Sequence, residues 1–164
     1  MTLELISPDI EKAREAALRM LDRSRRTRRE LERRLGEQGH AREAIAAALD
    51  RLARVGVVDD AEYVRAFARA KLAKRGVALR VVRQELKRRG VGDAEIEQGL
   101  EAFAGGDGER ARAEQALLPL WRRHRALDPP ERRARCAAAL ARRGFDFDTV
   151  REVLEAAREA ESAG

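Results

Sequence analysis

Residues 35–49 read Leu35-Gly36-Glu37-Gln38-Gly39-His40-Ala41-Arg42-Glu43-Ala44-Ile45-Ala46-Ala47-Ala48-Leu49, and the spacing of four of them decides the fold. Leu35, Gly39, Ile45 and Leu49 spell Leu-x3-Gly-x5-(Ile/Val)-x3-Leu. The same pattern returns without a gap as Leu86/Gly90/Ile96/Leu100 and as Leu140/Gly144/Val150/Leu154, at offsets of 51 and 54 residues. Self-similarity at such a period marks tandem structural units.

Each instance reads as helix, glycine, helix. The first Leu falls on the last turn of one helix, and a glycine four residues later can take the left-handed conformation that ends it. The apolar pair four apart then opens the stripe of the next helix. One turn before the first Leu stand Leu31, Val82 and Cys136, which extend the earlier stripe. Cys136 therefore reads as a small core residue, not a reactive thiol.

A further amphipathic segment precedes each pair. The first runs from about Asp9 to Asp22, with Ser7-Pro8 as cap and first helical residue and Leu18 and Leu21 facing inward. The second opens at Asp59 with Glu62 three residues on as a capping box, and sets Tyr63, Phe67 and Ala70 on one side. The third spans about Gly108 to Arg125 and is anchored by Leu117, Leu118 and Trp121. Ala104-Gly105-Gly106-Asp107-Gly108 separates the second unit from the third, and Asp128-Pro129-Pro130-Glu131 starts a helix with proline in its first turn. The apolar junction Val55-Gly56-Val57-Val58 predicts packing between the first two units. The expectation is an all-α chain of nine helices in three three-helix repeats, residues 1–56, 57–104 and 105–164, with neighbours sharing contacts.

Composition agrees: the 164 residues are dominated by strong helix formers, and aromatic residues make up only 4%. One cysteine excludes an internal disulfide and fits a reducing compartment. The start, Met1 to Ile6, lacks the basic, then apolar, run of a secretory signal, and no apolar run is long enough to span a membrane. A cytoplasmic protein is expected.

No catalytic constellation is visible, and neither a cofactor nor a metal is expected. His40 and His124 have no partner at metal-ligand spacing. The glycines at 105–108 run into Glu109-Arg110, not the Gly-Lys-Ser/Thr of a phosphate-cradling loop. Trp121 and the pair Tyr63/Phe67 could stack on single strands, but their helical spacing among Leu and Ala favours core packing.

Charge carries the functional signal. Lys and Arg number 35 against 29 acids, a formal net charge of +6. At about 100° per residue, Arg26, Arg29 and Arg33 lie opposite Leu31 and Leu35. The matching helix of the second repeat turns Arg80, Lys87 and Arg88 outward, with Glu30, Glu32 and Glu85 toward the sides of these faces. In the third repeat the same face is Ala134, Ala137, Ala138 and Ala141, with Arg142 alone charged. A basic stripe suits phosphates or an acidic protein patch, since the planar guanidinium pairs bidentately with either. Base-specific reading is not expected: the helix after the glycine offers Arg42, Glu43, Ala46, Ala47 and Asp50 in the first repeat and Glu95, Glu97, Gln98 and Glu101 in the second, acidic faces that do not enter DNA grooves readily, so any DNA contact would be to the backbone.

Five segments in order resemble the RecX family, regulators of the bacterial recombinase RecA. They are Ala17-Leu18-Arg19-Met20-Leu21 with Arg26-Thr27-Arg28-Arg29-Glu30-Leu31; Asp59-Asp60-Ala61-Glu62-Tyr63 with Phe67; Gln84-Glu85-Leu86-Lys87-Arg88-Arg89-Gly90-Val91; and Leu140-Ala141-Arg142-Arg143-Gly144-Phe145 with Val150 and Leu154. The resemblance implies an elongated, curved array of three-helix repeats that binds RecA or the groove of the RecA–DNA filament. It further implies suppression of ATPase activity, strand exchange and filament growth. On this reading Arg25, Arg26, Arg29, Arg33, Arg80, Arg83, Lys87 and Arg88 face the filament, and the chain acts as a monomer. The alternatives are a stand-alone protein that binds single- or double-stranded DNA without sequence preference, and a purely structural adaptor.

Overall fold

The computed structural model describes residues 7–164, without the side chain of Arg75, so the reading of Met1 to Ile6 lies outside the described residues. Among those described it is all-α: α1 (Pro8–Arg23), α2 (Arg28–Glu37), α3 (Arg42–Arg54), α4 (Asp60–Arg75), α5 (Leu79–Arg88), α6 (Asp93–Leu100), α7 (Gly106–Arg123), α8 (Pro129–Arg142) and α9 (Phe147–Ala163), with a short 3-10 turn at Glu101–Phe103.

The three glycines do what the spacing requires. Gly39, Gly90 and Gly144 have φ of 89°, 80° and 92°, where a side chain would be strained. In each case the residue after the glycine donates its N–H to the carbonyl of the leucine that opens the motif. His40 donates to Leu35 at 3.1 Å, Val91 to Leu86 at 3.2 Å and Phe145 to Leu140 at 3.3 Å. This six-to-one closure satisfies a carbonyl that the helix end leaves orphaned. Leu31, Val82 and Cys136, one turn earlier, are fully buried together with Leu35, Leu86 and Leu140.

The chain divides into two compact units, Met1–Arg65 with Leu86–Gly99, and Ala66–Glu85 with Leu100–Gly164. In the first, α1, α2 and α3 pack around Ala16, Ala17, Leu31, Leu35, Ile45 and Leu49. In the second, α7, α8 and α9 enclose Ala116, Leu117, Cys136, Leu140, Val153 and Leu154.

Several starts were anticipated. Pro8 and Pro129 occupy the first turns of α1 and α8, and the Asp59 carboxylate accepts the Glu62 N–H at 3.0 Å. α2 is capped by Thr27, which the repeat spacing does not single out. Its hydroxyl accepts from the Glu30 N–H while the Glu30 carboxylate accepts from the Thr27 N–H, both at 3.1 Å, a complete capping box at a fully buried residue.

The first helix of each repeat differs from expectation in phase. On α4 the buried face is Ala61, Val64 and Ala68; Tyr63 and Phe67 are half-buried and Ala70 is exposed. On α1 the buried residues are Ala13, Ala16 and Ala17, with Leu18 and Leu21 only partly covered. On α7, Ala113, Ala116 and Leu117 are inside while Leu118 is 52% exposed. Size misleads here, because close helix approach selects small residues at the contact and moves large ones to its flanks. Gly99 shows how close: a Cβ there would lie 2.5 Å from Val64 Cβ and 2.7 Å from the Ala61 carbonyl oxygen. At the first junction only Val58 is buried, and Val55 and Val57 are exposed.

Candidate partner-binding surface

The amphipathicity of α2 and α5 places the basic residues. With Leu31 and Leu35 inward, Arg29 and Arg33 face solvent; with Val82 and Leu86 inward, Arg80, Lys87 and Arg88 do. Arg25 is exposed, and Arg26 and Arg83 are half-buried. The Nε of Arg26 is buried without a hydrogen-bond partner.

The stripe is less purely basic than the sequence reading had it. Arg33 pairs with Glu37 one turn along α2, Arg25 with Glu62 at 3.6 Å and Lys87 with Asp93 at 2.9 Å. Glu37 lies one turn on along the same face, while Glu62 and Asp93 sit on other elements, where a count along one helix face misses them. Glu30 is spent on the capping box and Glu85 on Lys71. Exposed pairs of this kind are worth roughly 0–1 kcal/mol and are screened by salt, so an anionic partner can exchange them.

Two of the eight residues also hold repeats together, in matching ways. In the first unit the N–H of Arg28, first residue of α2, donates to the Asp60 carboxylate on α4 at 2.9 Å. The stem of Arg29 lies over the α5–α6 turn, so close that a Cβ on Gly90 would meet its Cδ. In the second unit the N–H of Leu79, first residue of α5, donates to the Glu109 carboxylate on α7 at 3.2 Å. The Arg80 Nε donates to the Gly144 carbonyl. At each joint the first N–H of a middle helix is thus capped by an acid from the next repeat's first helix, and the second residue, an arginine, covers the next repeat's glycine turn. Burial pushes the Asp60 carboxyl above its ordinary range despite the bond from Arg28. The signal was present in the sequence as Arg29 and Arg80, each ten residues before a motif glycine, but their partners are some sixty residues away.

Of the aromatic residues expected in the core, Trp121 packs against that of α7–α9 while Tyr63 and Phe67 are half-buried, and all three meet cations. Tyr63 OH accepts from Arg89 at 3.1 Å, Lys71 lies 5.7 Å from the Phe67 ring centre, and the Arg132 guanidinium stacks 3.9 Å from that of Trp121.

Comparison with known proteins gives this arrangement a family. Models of the first, second and third three-helix domains of RecX match residues 13–52, 59–100 and 108–154. The regulatory protein RecX of Mycolicibacterium vanbaalenii is 38% identical over 161 residues, covering 91% of this chain and 86% of that protein. That of Mycobacterium avium is 37% identical over 152 residues, covering 92% and 87%. The chain belongs to the RecX family.

Crystal structures show the same fold. RecX from Lactobacillus salivarius superposes with a TM-score of 0.82 at 20% identity, covering 90% of this chain and 95% of that one. Within the RecX domain matches, Arg25, Arg26, Arg29 and Arg33 fall in the first domain and Arg80, Arg83, Lys87 and Arg88 in the second. Each joint therefore links one RecX domain to the next. Among the described residues no group of three His, Cys, Asp or Glu is placed to hold a metal, and no helix is long and apolar enough to cross a membrane.

Proposed function

We propose that this RecX-family regulator inhibits a RecA-type recombinase, binding RecA or the groove of the RecA–DNA filament and suppressing ATP hydrolysis, strand exchange and filament growth. It acts as a cytoplasmic monomer, through its three repeats at 1–56, 57–104 and 105–164. The observation that carries the reading is the exposure of Arg29, Arg33, Lys87 and Arg88 in the first unit, which we read as one cationic face. The acids that pair with Arg33 and Lys87, Glu37 and Asp93, are themselves exposed and held only by these surface pairs. An acidic filament surface or its DNA is the complementary partner.

The test is RecA ATPase on single-stranded DNA, titrated with the chain at two salt concentrations. The triple charge reversal Arg33→Glu, Lys87→Glu and Arg88→Glu is expected to raise the concentration needed for inhibition at least about tenfold, the effect of losing several complementary charges. Arg29 is left intact because it covers Gly90. Undiminished inhibition by the triple variant refutes the cationic-face mechanism. Strong binding to DNA without RecA, falling steeply as salt rises, favours instead a stand-alone DNA-binding protein.

A further inference from the structure

The third repeat has a different surface from the first two. On α8, Ala134, Ala138 and Ala141 face solvent where α2 and α5 carry charge. Across from them on α9, Phe147 is 77% exposed, with the Arg151 guanidinium 6.0 Å from its ring centre. Between the two helices lies a groove of about 540 Å³ whose walls include Ala137, Ala138, Ala141 and Phe147, bordered by Arg133 and Arg151. A solvated helix face has no reason to be a row of methyl groups beside an uncovered phenyl ring.

Arg133 is also the near wall of a second depression, about 630 Å³, over Trp121 and Pro129. Arg125, Arg132, Arg133 and Arg158 line it, against a single acid, Glu161. Glu161 is spent on Arg132, and Arg133 has only a loose pair with Glu155 at 3.8 Å. Arg125 and Arg158 are exposed and have no acidic partner among the described residues. The basin thus carries a cationic excess beside an apolar slot.

That pairing selects its occupant. A nucleic acid would want a free aromatic face and backbone N–H donors for phosphate, but Arg132 already covers a face of Trp121. Pro129 and Pro130 remove two N–H groups from the start of α8. A peptide can instead give one large apolar side chain to the groove and carboxylates to the arginines, whose planar fork fits them.

We propose that the α8–α9 face and the adjoining arginine basin form a docking surface for an acidic segment of a partner protein. A large apolar side chain of that segment sits in the alanine groove, and its carboxylates meet Arg125, Arg133 and Arg158. The surface uses none of the basic residues of α2 and α5, and it stands or falls independently of inhibition through them.

The experiment pans a displayed library of short random peptides on the full chain. Selected sequences should combine acidic residues with a large apolar one. A synthetic copy of the best should perturb the fluorescence of Trp121, the chain's one tryptophan. Its affinity should fall at least about tenfold in both Ala138→Glu, which fills the groove, and Arg158→Glu, which reverses the basin. Both positions are exposed, and circular dichroism verifies that the variants keep their helices. The proposal is overturned if no such peptides are enriched, if either variant binds as the parent does, or if an oligothymidylate displaces the peptide.

Discussion

Asp60 is the sharpest probe of how the repeats are joined. Its Oδ1 accepts the N–H of Arg28 at 2.9 Å, and that N–H, the first of α2, has no acceptor within its own helix. Replacing a capping oxygen by a methyl group costs about 1 kcal/mol, with a range of about 0.5–2. The bond here is to a carboxylate and so intrinsically stronger, about 1.5–3 kcal/mol, but desolvation of the half-buried carboxylate gives part of that back. Asp60→Ala should therefore cost about 1–1.5 kcal/mol and speed hydrogen exchange of the Arg28 amide roughly tenfold. Asp60→Asn keeps an oxygen in place and sheds the desolvation cost, so exchange should stay within about threefold of the parent. The pH dependence has a definite sign. Burial raises the Asp60 carboxyl in the folded state, so folding favours its protonated form. The contribution of this group is then full below the unfolded-state value of about 3.9 and is lost as pH rises through the higher folded-state value. Urea unfolding of the parent and Asp60→Asn should show the parent losing ground relative to the variant from acid to neutral pH. If Asp60→Asn costs as much as Asp60→Ala at neutral pH, or the parent gains on it as pH rises, the capping account is wrong.

Other perturbations separate packing from charge. Gly99→Ala should destabilise by about 1 kcal/mol, since overpacking of about 1–3 kcal/mol outweighs a helix-propensity gain of about 1; a rise in melting temperature would mean that α4 and α6 can part at no cost. Arg132→Ala removes two bonds to the Trp121 carbonyl and the stack on its ring, and should lower stability in the second unit by about 2 kcal/mol, followed through Trp121 fluorescence in urea. Cys136 is fully buried and its thiol is pushed up by desolvation, so iodoacetamide should label it in denaturant and leave it unmodified in buffer; rapid labelling of the native chain would contradict its place in the core.

The helix-glycine-helix units were legible because each rests on a local rule. A glycine ends a helix within one turn, and leucines four apart must share a face. The buried faces of α1, α4 and α7 were not legible for a reason of scale: Ala61 and Ala68 look like filler beside Tyr63 and Phe67 until Gly99 is known to press against Val64. The exposure of Arg29, Arg33, Lys87 and Arg88 was legible from spacing, but the acids that pair with the basic residues were not all so, because Asp93 answers Lys87 across a turn and Glu62 answers Arg25 from another helix. The dual position of Arg29 and Arg80, outward on their helices yet laid over a distant glycine turn, depends on contacts that no window along the chain contains.

The joints also account for why the repeats share a core but not a surface. A middle helix can make this joint only if its first N–H is unspent and its second residue can reach the next glycine turn. α2 and α5, ten residues each, begin eleven residues before their glycines, at Arg28 and Leu79, and carry Arg29 and Arg80 next. α8 is 14 residues long and begins a full turn earlier, at Pro129. The residue eleven before Gly144 is Arg133, whose N–H lies inside the helix and is committed there, and the arginine position is held by Ala134. Both halves of the joint are thus missing from α8 by construction. The extra turn does other work: Arg132 reaches back to the Trp121 carbonyl, and Arg133 stands on the ridge between the alanine groove and the arginine basin. The length of one helix converts the surface that links repeats elsewhere into one open to a partner.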